Sequence, residues 1–144
     1  MAEMIVVVLI LGALAFIAIP RLNFAALHHK QAHTIAKKIV TDLRRTRVLA
    51  ISNAASNTKG YNLQMVGSSP YTSYQIVDAN SSSTVDTQTI DSPVSCTGGS
   101  VFKFGILGNL LTGSSSTPIT ISSEGKTYTI TVITGTGIAE CTGG

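Results

Sequence analysis

Hydrophobic and polar positions divide this chain into three stretches, each with its own period. Residues 1–20, MAEMIVVVLILGALAFIAIP, are apolar almost throughout, with one charge, Glu3, and no Asn, Gln, Ser or Thr. Drawn as a helix, such a stretch is about 30 Å long, the thickness of a bilayer's hydrocarbon core. Residues 21–55 contain no Gly or Pro and carry apolar side chains at Ala32, Ile35, Ile39, Leu43, Ala50, Ile51 and Ala54. Steps of three, four and seven predict a one-sided helical stripe with the basic residues mostly on other faces. If both stretches form one nearly continuous rod, it is roughly 80 Å long, and its first half must meet lipid or other subunits. That helix is expected to end near Ser52–Lys59, where Asn, Ser and Gly60 gather.

Residues 56–144 turn to Thr, Ser, Val, Ile and Tyr and read as a β-rich head. Strands are expected at Tyr61–Val66 and Tyr71–Asp78, joined by the turn Gly67-Ser-Ser-Pro70, then at Thr87–Ile90, Val101–Phe104, Ile119–Ser122 and Lys126–Thr134. A short strand over Gly137–Cys141 follows. Tyr128, Ile130, Val132 and Thr134 alternate with Thr127, Thr129, Thr131 and Ile133, the pattern of an antiparallel strand with one buried face. The predicted class is α+β: a long N-terminal hydrophobic helix carrying a small antiparallel sheet. The chain's 144 residues suit one globular domain.

Charge adds an asymmetry. Arg21, Lys30, Lys37, Lys38, Arg44, Arg45 and Arg47 precede Val48 with Asp42 as the one acid among them, whereas three bases face five acids from Val48 onward. Positive charge directly after an apolar segment marks the cytoplasmic side of a bacterial membrane. The cysteines point the other way. Cys96 and Cys141 match no metal or redox spacing, and beside a membrane-directed N-terminus they read as a disulfide in an oxidising compartment. The other reading is two unrelated buried thiols.

The run from Glu3 through Gly12 to Pro20 resembles the N-terminal segment of mature type IV pilins and type II secretion pseudopilins, with the acid, the glycine nine positions on and the proline eight beyond it in register. The resemblance is strong over residues 1–30. Beyond it, Asp42-Leu-Arg-Arg-Thr-Arg47, Ala50-Ile51 and the closing Thr134-Gly-Thr-Gly-Ile138 are similar to the GspH/FimT group of pseudopilins and minor pilins. Family members carry the acid at the fifth position, so two residues are expected before Met1, after removal of a basic leader ending in Gly.

The resemblance implies export: the subunit waits in the bacterial inner membrane through residues 1–20, then joins an extracellular or periplasmic filament. It implies as partners other copies of the chain in a helical filament, the inner-membrane assembly machinery and the prepilin peptidase. It assigns Glu3 to register through the N-terminal amine of a neighbouring subunit, and the stretch from Gly12 to Pro20 to local melting on assembly. Pro20 denies a donor to the carbonyl of Phe16, and Gly12 lowers helix propensity. The implied function is a structural subunit in adhesion, motility, uptake or secretion. The alternative is a minor tip module that binds DNA or other minor pilins.

Nucleic acid is not an expected partner. FimT-like DNA binding uses basic residues near the C-terminus, and no Lys or Arg follows Lys126. The basic block has two further readings, an inter-subunit helix face and a membrane-surface patch. His29 and His33 form one helical i, i+4 pair without a Cys or carboxylate in the same turns, so no metal is expected. No nucleophile elbow or phosphate loop is present, and neither enzymatic activity nor a cofactor is predicted.

Overall fold

The computed structural model describes the backbone of residues 2–18 and 24–144, and the side-chain surroundings of residues 3–15 and 27–144. Two helices come first, α1 (Ala2–Ala18) and α2 (Phe24–Ser52). Eight strands follow: β1 (Tyr61–Val66), β2 (Ser73–Asp78), β3 (Thr84–Thr89), β4 (Ser95–Gly98), β5 (Val101–Phe104), β6 (Ile119–Ser123), β7 (Lys126–Val132) and β8 (Ala139–Gly143). The α+β class holds, with one correction: the head contains two antiparallel sheets, in the orders β3-β2-β1-β5 and β4-β6-β7-β8. The junction between α1 and α2 lies outside the described residues.

The sheets are interleaved along the chain. After β3 the backbone crosses to lay down β4 at the edge of the second sheet, returns for β5 at the edge of the first, and crosses again for β6, β7 and β8. Main-chain bonds stitch the crossings: Met65 N donates to Ser100 O at 2.7 Å, and Tyr71 N to Cys96 O at 2.7 Å. The β6–β7 hairpin turns through Glu124 and Gly125, both with positive φ (49° and 80°). This is the two-residue geometry that matches the right-handed twist of the flanking strands.

Helix α2 lies across both sheets and packs on β1 and β5 of the first and on β6, β7 and β8 of the second. Its buried face is the predicted stripe with small residues added: Ala32, Ala36, Ile39, Val40, Leu43 and Ala50. Ile35 is half-buried against this core, while Ile51 at the end of the stripe is exposed. Leu63, Tyr74, Phe102 and Phe104 meet the stripe from the first sheet, and Ile119, Ile121 and Ile130 from the second. Two polar groups share the face. Thr46 donates to the Asp42 carbonyl at 2.6 Å, one turn back, and the Asp42 carboxylate accepts the Tyr74 hydroxyl at 2.7 Å. Burial, then the bond to Asp42, pushes the Tyr74 phenol well above its usual range, so it stays a donor.

The helix stops where side chains replace its own bonds. Asn57, buried beyond the last turn, accepts Lys59 N and Gly60 N through Oδ1 and donates through Nδ2 to Gly60 O and to Asp78 Oδ1, each at 2.9 Å. Gly60 enters β1 at φ 76°, and a side chain there would strike the Phe104 carbonyl of the neighbouring strand.

Candidate assembly surface

Helix α1 is the exception to this packing. Every described side chain from Glu3 to Ala15 is exposed. Met4 is 75% exposed, Leu9 67%, Leu11 61% and Leu14 58%. An apolar sequence on all sides leaves no polar face to turn to water, and such a helix is stable only when something covers it. Glu3 stands in its first turn, the end where an acid is favoured by the helix dipole. Gly12 continues the helix with open space around it, so no contact within the chain demands a glycine there. The backbone is helical from Gly12 through Ala18, and melting of that stretch is not seen in the single subunit. Pro20 lies outside the described residues.

The 17 described residues of α1 rise about 26 Å, and the rest of the expected span, residues 19 and 20, lies outside the described residues. Among the described residues, no helix is long and apolar enough to cross a membrane.

Most of the described basic block is committed to the head. Arg45 pairs with Asp86 of β3 at 2.6 Å, and Lys38 bonds Gln88 of the same strand. Arg44 donates to Ala139 O at 3.2 Å, and Arg47 Nε to both Gly108 O and Thr136 O at 3.0 Å. These side chains clamp α2 to edge strands and loops. Lys30 and Lys37 are exposed, too sparse a pair to form a phosphate-binding stripe.

The disulfide expectation is overturned. Cys96 and Cys141 are both free thiols, on β4 and β8 at opposite edges of the second sheet. Three strand spacings separate them, about 14 Å, twice the Cα distance that a disulfide tolerates. Cys96 is fully buried in the core, and burial pushes its thiol up to about 11. Cys141 is exposed beside Lys37, Val40, Thr41 and Arg44. The argument for an oxidising compartment therefore loses this support.

The histidines also have structural neighbours. His28 lies 3.3 Å from the Glu124 carboxylate at the β6–β7 turn, and the ring of His33 is 5.5 Å from that of Tyr128. Among the described residues, no group of three or more His, Cys, Asp or Glu side chains is placed to hold a metal.

One surface escaped the sequence reading. Beyond the C-terminal end of α2, the loop Gly105–Leu111 and the β7–β8 turn close on each other. Leu110 N donates to Thr134 O at 3.1 Å, and a side chain at Gly137 would strike the Gly108 carbonyl. They hold Leu107 out at 82% exposure, with Val48 (58%) and Ile51 (43%) exposed on the adjoining end of α2. The available signal was the apolar pair in Gly105-Ile-Leu-Gly108, a turn flanked by glycines with no reason to be greasy. No family model, curated protein or solved structure matches the chain.

Proposed function

We propose that this chain is a structural subunit of a type IV pilus-like filament and that it polymerises through α1. The observation carrying this reading is the full exposure of an apolar helix attached to a well-packed head. Packed against copies of itself, α1 exchanges its solvent for neighbouring helices. Packed first in lipid, it exchanges one low-dielectric environment for another, so extraction is not strongly uphill. Before assembly α1 waits in the inner membrane, its apolar side chains in lipid. Processing and assembly then fall to a prepilin peptidase and the inner-membrane machinery, and the filament stands outside the membrane.

Glu3 fits the same scheme. Burying a carboxylate among apolar helices costs several kcal/mol unless it is paired, and the N-terminal amine of an adjacent subunit is the partner the resemblance offers. That pairing makes insertion dependent on register. The tip-module alternative receives less support, because Arg44, Arg45 and Arg47 are engaged within the head instead of facing a nucleic acid. Nothing in this scheme calls for catalysis or a cofactor.

The test is electron microscopy of sheared surface filaments from cells that express the chain with the assembly machinery, with mass spectrometry of the main component. Filaments built mainly of this chain, lost on Leu9→Asp and strongly reduced on Glu3→Ala, are the expected result. Filaments in which the chain is scarce would move it to the tip role. Filaments unaffected by Leu9→Asp would overturn assembly through α1.

A further inference from the structure

The two ends of α2 present complementary surfaces. Near its N-terminal end, Leu27, Lys30, Gln31, Thr34, Ile35 and Asp91 line an open cleft of about 390 Å³. Leu27 is 53% exposed there, so the cleft has an apolar side with no cover among the described residues. At the far end stands Leu107, the most exposed large apolar side chain described in the protein. Its presentation is rigid. Gly108 N donates to Gly105 O at 2.8 Å, Gly105 N to Asn109 O at 3.0 Å, and the Gly108 carbonyl accepts Arg47 Nε at 3.0 Å.

We infer that Leu107 of one copy seats in the Leu27–Ile35 cleft of the next, a head-to-tail contact that repeats along the filament and rests on the filament reading above. A cavity of about 150 Å³ already holds a benzene molecule, so a cleft of about 390 Å³ has room for a leucine side chain and the glycine-flanked turn behind it. The two surfaces cannot meet within one chain. Ile51, whose side chain faces Gly108, lies 20 residues past Gln31 on α2, about 30 Å along the axis. A contact between two different patches is heterologous, and such contacts generate open polymers when the rotation does not close.

Charge selects a second copy as the occupant. Arg47 commits Nε to two carbonyls, and its two terminal amino groups bond no described residue. The Asp91 carboxylate in the cleft lining likewise has no partner among the described residues. Seating Leu107 brings a copy's Arg47 beside the next copy's Asp91. Reversing the orientation sets Asp91 against Asp91 or Arg47 against Arg47, which disfavours the symmetric pairings.

A double-cysteine variant of the full chain tests the contact. Thr34→Cys places a thiol in the cleft and Ile106→Cys one beside the knob, with Cys141→Ser removing the native exposed thiol. Mild oxidation is followed by non-reducing electrophoresis, in membranes and in sheared filament preparations. The expected result is a ladder of covalent multimers that is lost under reductant, is not formed by either single variant, and disappears on adding Leu107→Asp. Circular dichroism confirms that the exposed Leu107→Asp head remains folded. Filaments without a ladder, and indifferent to Leu107→Asp, would overturn this contact and leave the filament reading standing. A ladder without filaments would keep the contact and remove the filament reading. Neither ladder nor filaments would remove both.

Discussion

The two helices of this chain invert the ordinary relation between hydrophobicity and burial. Helix α1 has the apolar composition of a protein interior, and none of its described side chains is buried. Helix α2 carries six Lys and Arg over its 29 residues, and yet its stripe is the centre of the core. What separates them is periodicity. A stripe on α2 tells it which face to turn toward the sheets, and polar residues on the other faces meet water. Apolar on every side, α1 has no preferred face and cannot be satisfied by a single head packed against one side of it. Its described side chains are exposed. A surplus of apolar surface without a face fits the assembly proposed above, and a stripe is the mark of folding.

One substitution made in both helices tests that distinction most severely. Leu43 is fully buried, and Leu43→Ala leaves a cavity that costs about 2–5 kcal/mol. The head's melting temperature should fall by many degrees. Leu9, at 67% exposure, offers no such cavity. Leu9→Ala should leave head melting unchanged and reduce only filament yield. A matching drop in head stability for Leu9→Ala would mean that α1 belongs to the head's core after all.

The next effect concerns a polar contact inside the core. Tyr74→Phe keeps the ring and removes the hydroxyl that donates to the buried Asp42 carboxylate at 2.7 Å. An acceptor left unsatisfied in a core costs about 1–3 kcal/mol, and denaturant midpoints read the loss. Because the phenol is held well above its ordinary range, absorbance of the tyrosinate at Tyr74 should appear only with alkaline unfolding. Smaller still is Arg45→Ala. Its pair with Asp86 is half open to water, and exposed pairs contribute about 0–1 kcal/mol. A loss above that range would mark the Arg45–Asp86 clamp as part of a larger network binding α2 to β3.

How far these features were readable in the sequence depended on whether their cause was local. Strands β1 and β5 match their expected limits, and the alternation of Tyr128 and Ile130 with threonines gave the buried face of β7, because side chains alternate within a single strand. The stripe on α2 was legible for the same reason. Strand β4 was not: Ser95-Cys96-Thr97-Gly98 is short and small, and it becomes a strand only by pairing with β6. The division into two sheets depends on the same long-range pairings. Cys96 and Cys141 were misjudged because the strand order that sets them on opposite edges has no local signature. The basic block was read as a surface, whereas bonds from Arg44 to strand β8 and from Arg47 to the Gly108 loop, about 60 to 95 residues away, draw it into the fold. Of the assembly surface, the apolar helix and Glu3 were visible at once, and Leu107 was not, since only the folded turn holds it out.

The smallest predicted effect is one of pH, and it too separates head from helix. The Asp78 carboxylate accepts Asn80 N at 2.7 Å, Asn57 Nδ2 at 2.9 Å and Ser81 N at 3.1 Å. Burial alone would raise its pKa, but the bonds together outweigh that and hold it below the ordinary carboxylate value. Asp86 is held down likewise, first by the bond from Arg45. A carboxyl with a lower value folded than unfolded stabilises the fold above its unfolded pKa, near 3.9, and loses that contribution as pH falls through the folded value. Head melting should therefore be flat from neutral pH down to about 5 and decline below about 4. Asp78→Asn should lower melting at neutral pH, where the carboxylate contributes, and flatten the decline in acid, so that the two curves converge near pH 2. Glu3→Gln, on a helix with no buried described side chain, should reproduce the parent curve throughout. If Asp78→Asn instead kept the full acid decline, the titration would reside in other carboxyls, and the turn that joins α2 to the first sheet would be stabilised by geometry alone.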